Sequence, residues 1–93
     1  MARRRSRLEI ALDILLAIRD GVDKPTRIMF AAKLSWRPTQ RILSSLVDQG
    51  LVEVRMNTET RKSKKRYVIT EKGINLLDYF EGAREILPLE ELY

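Results

Sequence analysis

Residues 24–50 have the sequence KPTRIMFAAKLSWRPTQRILSSLVDQG, in which apolar side chains recur at helical spacing on both sides of a short polar break. Pro25 suits the first turn of a helix, so we expect a short helix over about residues 26–33. Ser35 is a good N-cap for a second helix over about residues 36–49. Two helices separated by three or four residues have the spacing of a helix-turn-helix.

A longer helix is predicted before this pair. Ser6 and Glu9 have the spacing of a capping box, in which the serine oxygen accepts an amide and the glutamate reaches back to the N-cap. Apolar residues then recur at helical spacing as far as Ile18, and Gly21 suits a left-handed C-terminal cap. We therefore expect a first helix over about residues 7–20.

The chain after the helix-turn-helix changes to the period of a strand. Residues 51–56 are rich in β-branched side chains and alternate between apolar and charged positions, and residues 67–69 predict a second short strand. The polar stretch 57–66 between them is long and basic. We expect a hairpin over residues 51–69, and the side chains predicted to face the core from its first strand are Val52, Val54 and Met56.

A last helix is predicted over residues 71–87. Thr70 is a natural N-cap, and Glu71 favours the positive end of the helix that starts there. Pro88 marks its end. The order of elements is helix, helix, helix, strand, strand, helix, which predicts an α+β fold of the winged helix-turn-helix type.

Three stretches of the chain resemble small archaeal winged helix-turn-helix regulators, a family with cellular and viral members. They are KPTRIMFAAKLSW at 24–36, GLV at 50–52 and YVITEKG at 67–73. The resemblance covers most of residues 8–87. It implies a DNA-binding regulator whose fold resembles the multiple-antibiotic-resistance type, and some relatives dimerise through the last helix or act as chromatin proteins.

Composition limits the function further. The 93 residues predict a single domain over 1–93, with net charge +5. Residues 1–70 contain 16 Lys and Arg against 7 Asp and Glu, whereas residues 71–93 contain 2 against 6. Because the chain has no Cys and no His, we expect no metal site, no cofactor and no enzymatic activity. It has no candidate membrane span or signal peptide, so we expect a cytoplasmic, nucleoid-associated protein that does not bind membranes.

The second helix of the pair is the expected recognition helix. In helix-turn-helix proteins this helix enters the major groove and its N-terminal part contacts base edges. The side chains predicted to face DNA from about residues 36–49 are Arg37, Thr39, Gln40, Arg41 and Ser44. The alternative is an ordinary solvated helix face. We expect the neighbouring Trp36 to be a packing anchor rather than a base contact.

Two basic stretches are predicted to bind phosphates or a minor groove. The wing, about residues 57–66, contributes Arg61, Lys62, Lys64, Lys65 and Arg66. The N-terminal arm, residues 1–6, contributes Arg3, Arg4 and Arg5. The alternatives are a mobile solvated loop for the wing and a disordered, solubilising end for the arm.

The last helix has more apolar surface than one stripe requires, which favours a partner. We expect a homodimer, with an interface formed by Leu76, Leu77, Tyr79, Phe80, Ala83, Ile86 and Leu87. A monomer whose last helix is well covered is the alternative.

Other functions remain open at this point. An architectural protein that coats DNA needs the same basic wing, and a winged-helix adaptor would bind protein instead. The dense basic stretches argue against the adaptor, and RNA binding lacks the expected aromatic platform. Sequence alone does not identify a small-molecule effector, the operator or the direction of regulation.

Overall fold

The computed structural model describes residues 5–57 and 64–86, and of Asn57 and residues 84–86 it describes the backbone only. The elements are α1 (Arg7–Arg19), α2 (Pro25–Ala32), α3 (Trp36–Asp48), β1 (Val52–Asn57), β2 (Lys64–Ile69) and α4 (Glu71–Ile86). The two strands form an antiparallel hairpin, in register from Val52 opposite Ile69 to Asn57 opposite Lys64. The predicted order of elements and the α+β class are confirmed.

The start of α1 is held by the predicted capping box. The Ser6 hydroxyl oxygen accepts a hydrogen bond from the Glu9 amide at 3.1 Å, and a carboxylate oxygen of Glu9 accepts one from the Ser6 amide at 3.4 Å. The helix ends at Arg19, one residue earlier than predicted. Gly21 follows with a positive φ of 100°.

The turn between α2 and α3 consists of residues 33–35. Lys33 has left-handed backbone angles, φ 56° and ψ 46°, and its amide donates to the Phe30 carbonyl at 3.2 Å. Ser35 is extended and precedes α3. This turn reverses the chain within three residues, so the predicted helix-turn-helix spacing is confirmed.

The core lies where the three N-terminal helices meet the base of the hairpin and the first half of α4. Burying one such aliphatic side chain stabilises the folded state by roughly 1.5–3 kcal/mol. The buried apolar residues are Leu12, Ile14, Leu15, Ile18, Ile28, Ala32, Leu43, Leu46, Leu51, Val52, Tyr67 and Leu77.

The hairpin projects beyond this core. Of the side chains predicted to face inward from β1, only Val52 is buried, whereas Val54 is 38% and Met56 50% exposed. That part of the prediction is wrong because the strands extend past the helices that would cover them. The second strand begins at Lys64 rather than at Tyr67, so Lys64 and Lys65 lie in β2 and not in the connecting loop.

The start of α4 is tied to the junction of α3 and β1. The Thr70 hydroxyl accepts from the Gly73 amide at 3.1 Å and donates to the Gly50 carbonyl at 2.7 Å. A side chain at Gly73 would collide with the Leu51 carbonyl oxygen and lie 2.7 Å from Cγ1 of Ile69. Glycine is therefore needed here for close packing, although it lowers helix propensity.

A salt bridge joins the first and last helices. The Arg19 guanidinium lies 2.9 Å from a carboxylate oxygen of Glu81. The hydrogen bond to Glu81 raises the pKa of Arg19 above its ordinary value. This contact fixes the direction in which α4 leaves the domain.

Candidate nucleic-acid interface

The recognition helix α3 is anchored by one buried face. Leu43 and Leu46 lie in the core, and Thr39 one turn earlier is fully buried. The Thr39 hydroxyl donates to the Ser35 carbonyl at 2.9 Å, which satisfies it inside the protein. The prediction that Thr39 faces DNA is therefore wrong, because it belongs to the same helical row as the core leucines.

The opposite face of α3 is exposed. We call Arg37, Arg41 and Ser44 the recognition face, since their spacing places them on one side of the helix and all three are exposed. Neither arginine forms an ion pair with any residue in the described part of the chain. The guanidinium groups are thus available to an external acceptor.

The first turn of α3 is also open to an anion. Its N-cap, Ser35, makes no side-chain capping hydrogen bond, and the turn contains no acidic residue. Amides at a helix N-terminus point outward and carry partial positive charge, which favours phosphate. Trp36 at this end is 47% exposed, so the expectation that it anchors packing is wrong.

A groove of about 340 Å³ separates α3 from the hairpin. Gln40, Ser44 and Asp48 line it from α3, and Lys65 and Tyr67 line it from β2. The Gln40 side-chain nitrogen is buried and has no hydrogen-bond partner within the described residues. Burial raises the pKa of the Tyr67 phenol above its ordinary value. Polar side chains of α3 and a lysine of the hairpin thus line one groove, together with the carboxylate of Asp48.

The base of the hairpin is fixed by Arg66. Its guanidinium lies 2.9 Å from a carboxylate oxygen of Asp23, and the Tyr67 amide donates to the Asp23 carbonyl at 2.9 Å. Arg66 thus binds the loop between α1 and α2, so its predicted phosphate contact, which stays a prediction, would have to replace this salt bridge. Lys64 and Lys65 are exposed, whereas Arg61 and Lys62 lie outside the described residues.

The N-terminal arm is attached to the domain at Arg5. One guanidinium nitrogen lies 3.0 Å from Asp13 of α1, and the other donates to the carbonyl oxygens of Ala32 and Lys33 at the end of α2. Arg5 therefore satisfies a helix C-terminus, and the prediction that it belongs to a free, DNA-binding arm is wrong. Arg3 and Arg4 lie outside the described residues.

The predicted dimer residues divide into two groups. Leu77 is buried, so its assignment to a dimer interface is wrong. Leu76 and Phe80 are half-buried and pack against the core of the same chain, and their place in an interface stays a prediction. Tyr79 is 73% exposed and stacks edge-on against Phe80, with ring centroids 5.8 Å apart. Ala83 is half-buried. The Ile86 side chain and Leu87 lie outside the description.

Two exposed apolar side chains were missed by sequence reasoning. Phe30 on α2 is 74% exposed, and Ile74 on α4 is 39% exposed. The sequence does indicate that Ile74 is exposed. Gly73 and Leu77 are four positions apart and share the buried side of α4, whereas Ile74, next to Gly73 in the chain, points to a different side of the helix. We have no comparable signal for Phe30.

The described residues provide little for other chemistry. Nowhere in residues 5–57 and 64–86 do three or more His, Asp or Glu side chains gather as they would around a metal ion. None of the helices in these ranges is both long and apolar enough to cross a membrane.

Comparison with known proteins identifies the fold. The sequence pattern of the winged helix-turn-helix family matches residues 4–87. An uncharacterised protein of Methanocaldococcus jannaschii is 33% identical over 84 residues, which cover 90% of this chain and 78% of that protein. A second uncharacterised protein of this organism is 31% identical over 78 residues, and there the chain spans only 33% of its relative.

Solved structures agree with this result. Sso10a-2, a DNA-binding protein from Sulfolobus solfataricus, is 30% identical with a TM-score of 0.72, and the match covers 96% of this chain and 86% of that one. A MarR family transcriptional regulator from Silicibacter pomeroyi has a TM-score of 0.71 at 20% identity, covering 86% of this chain and 54% of that one, and shares the fold. The resemblance to archaeal winged helix-turn-helix proteins is confirmed.

Proposed function

Because this chain belongs to the winged helix-turn-helix family, we propose that it binds double-stranded DNA as a transcriptional regulator. The observation that carries the proposal is the continuity of two surfaces. Gln40 and Ser44 of α3 share a groove with Lys65 of the hairpin, and the unpaired guanidinium groups of Arg37 and Arg41 lie on the same helix. A helix in the major groove and a wing on the adjacent backbone would use both surfaces together.

Each part of this surface has a distinct role. Arg37 and Arg41 would donate to guanine edges in the major groove. Gln40 faces the wing, so we assign its buried amide nitrogen to a backbone phosphate in the groove, where it would gain the partner it lacks. The phosphate-binding lysines we propose for the wing are Lys64 and Lys65, and Arg61 and Lys62 remain proposed on sequence grounds alone.

The test is a fluorescence-anisotropy titration against two duplexes at several salt concentrations. One duplex has random sequence, and the other is selected from a random pool. A selected site bound about a thousandfold more tightly supports a sequence-specific regulator. Equal, steeply salt-dependent binding to both duplexes supports an architectural protein that contacts phosphates alone. If neither duplex binds, the proposal fails.

We also propose that the protein is a homodimer that pairs through the exposed side of α4. Ile74 and Tyr79 are exposed there, and Ala83 is half-buried. A two-fold axis near this helix would present two recognition helices to one face of DNA, about 34 Å apart. In sedimentation equilibrium, Tyr79→Glu should shift the protein towards the monomer. The control Glu71→Gln changes a charge at the start of the same helix and should leave the mass unchanged.

A single domain over residues 1–93, a cytoplasmic and nucleoid-associated location, and the absence of enzymatic activity are parts of the same proposal. The length of the chain supports the single domain, a DNA partner supports the location, and a sequence without Cys or His supports the absence of enzymatic activity.

A further inference from the structure

A second groove lies on the other side of α3, away from the hairpin. It has a volume of about 450 Å³ and runs between the start of α1 and the outer side of α3. This volume is within the range of about 300–1,000 Å³ that is typical of small-molecule sites. Of the side chains assigned to DNA above, only Arg41 also lines this groove.

The walls of the groove are mainly apolar. Ile10 of α1, Leu34 of the turn and Ile42 of α3 line it, and all three are half-buried and packed against the core. Each side chain therefore has one side covered by the protein and another available to the groove. Such walls favour a ligand with an apolar body, because covering them removes apolar surface from water.

The polar side chains of the groove are all hydrogen-bond donors. Arg7 and Arg41 are exposed, and neither pairs with a carboxylate in the described part of the chain. The Ser45 oxygen accepts from the Gln49 side-chain amide at 3.0 Å, while its own hydroxyl hydrogen is donated to no described residue. Two guanidinium groups and a hydroxyl thus line one apolar groove, and none of its described lining residues is acidic.

From this combination we propose that the groove between α1 and α3 binds a small carboxylate with a flat or branched apolar body. Guanidinium groups pair well with carboxylates, and the apolar walls would hold the rest of the ligand. A phosphate fits less well, because it is strongly hydrated and gains nothing from contact with isoleucine and leucine.

The site has a regulatory consequence that rests on the proposed DNA-binding function. Arg41 belongs both to this groove and to the recognition face, so its guanidinium cannot serve a ligand carboxylate and a base edge at once. If binding is mutually exclusive, a ligand at ten times its Kd weakens DNA binding about 11-fold. By linkage, DNA at ten times its own Kd weakens ligand binding about 11-fold as well.

The first experiment measures ligand binding without DNA. Benzoate serves as the probe and is titrated into the ¹⁵N-labelled protein, with the amide shifts of Ile10, Ile42 and Ser45 as the readout. Benzyl alcohol keeps the ring without the charge, and acetate keeps the charge without the ring. Saturable shifts with benzoate, and at least tenfold weaker binding of both controls, are expected. No saturable shift with benzoate, or equal binding of acetate, would overturn the proposal.

Variants locate the site. Arg7→Gln should weaken benzoate binding about tenfold or more, since it removes one of the two guanidinium groups. Arg27→Gln is the matched control, because it removes an exposed guanidinium of α2 that lies outside the groove. Equal losses in the two variants would show a general charge effect and refute the site. Both positions are exposed, so neither change removes a core contact.

The second experiment measures the coupling. DNA affinity is determined for each protein with benzoate and with an equal concentration of chloride, because added salt alone weakens DNA binding. The expected result is a benzoate-specific loss of DNA affinity that Arg7→Gln largely abolishes relative to its own chloride reference. Benzoate binding with unchanged DNA affinity would overturn the coupling. Absence of DNA binding in chloride would instead refute the proposed function, and the titration without DNA would still decide the site.

Discussion

The arginines of α3 and those at the edges of the domain have different surroundings. Arg37 and Arg41 are exposed and pair with no carboxylate in the described ranges. Arg5 forms a salt bridge with Asp13 at 3.0 Å, and Arg66 forms one with Asp23 at 2.9 Å. Arg5 and Arg66 lie in the two basic stretches of the sequence and Arg37 and Arg41 do not, yet only the α3 pair lacks an ion-pair partner among the described residues. Positive charge along the sequence therefore predicts too many DNA-binding residues. Whether each side chain already has an ion-pair partner is the better criterion.

The largest expected effect comes from removing one of the free arginines. Arg41→Ala should lower affinity for a selected site by about 1–3 kcal/mol, roughly 5- to 150-fold, while affinity for random duplex falls much less. Lys72→Ala is the control, because it removes one positive charge from α4, together with an exposed hydrogen bond to the Gln49 carbonyl, and should leave the ratio of the two affinities unchanged. Anisotropy titrations measure both. An unchanged ratio for Arg41→Ala would remove Arg41 from base recognition.

The same contrast between occupied and open surroundings exists for two glycines of α4. Gly73 packs against the Leu51 carbonyl and Ile69, whereas an added carbon at Gly82 meets nothing within 4 Å. Gly73→Ala should therefore destabilise the protein by about 1–3 kcal/mol through overpacking. Gly82→Ala should stabilise it by about 0.5–1 kcal/mol, because alanine has the higher helix propensity. Urea unfolding measures both, and a loss of equal size at the two positions would contradict this account.

A smaller effect is expected for an arginine that already has a partner. Arg66→Ala should lower the free energy of unfolding by about 0.5–1 kcal/mol, because its salt bridge to Asp23 is partly exposed and screened by solvent. Selectivity for the chosen DNA site should not change. Asp23→Ala should match it in stability, and the double variant should lose little more than either single one. A large loss of selectivity in Arg66→Ala would return this residue to the DNA-binding surface.

The sequence predicted the parts of the fold that depend on local patterns. The capping box of Ser6 and Glu9, the short break between α2 and α3 and the Thr70 cap all involve residues within four positions of one another. Such contacts follow from spacing alone, so they were predicted together with the order of the elements.

The site was predicted less completely because its errors involve distant contacts. Arg66 and Asp23 are 43 positions apart, and the Arg5 bond to the Ala32 carbonyl spans 27 positions. No periodicity reveals such partners. Thr39 is a different case, because it lies four positions before Leu43 and therefore on the same face of α3. This spacing alone predicts that Thr39 is buried.

The smallest expected effect concerns pH and the Tyr67 phenol at the base of the hairpin. Burial raises the pKa of this phenol above its ordinary value of 10.0 in the folded protein, because the charged phenolate is poorly solvated there. The folded state therefore holds this proton more tightly than the unfolded state does. The resulting stability is fully present below about pH 10 and is lost as the pH rises through the folded pKa. Tyr67→Phe should remove this part of the alkaline loss.

Thermal unfolding between about pH 9 and 11 measures the effect, with the phenol absorbance as an independent titration. Lysines also lose charge in this range, so the informative quantity is the difference between the wild type and Tyr67→Phe. Tyr79→Phe, which removes a hydroxyl from an exposed ring of α4, controls for the substitution itself. If the wild type and Tyr67→Phe lose the same amount of stability above pH 10, burial at the base of the hairpin does not raise the pKa of the Tyr67 phenol. The wing would then be less firmly packed on the helices than the contacts of Arg66 and Tyr67 with Asp23 indicate.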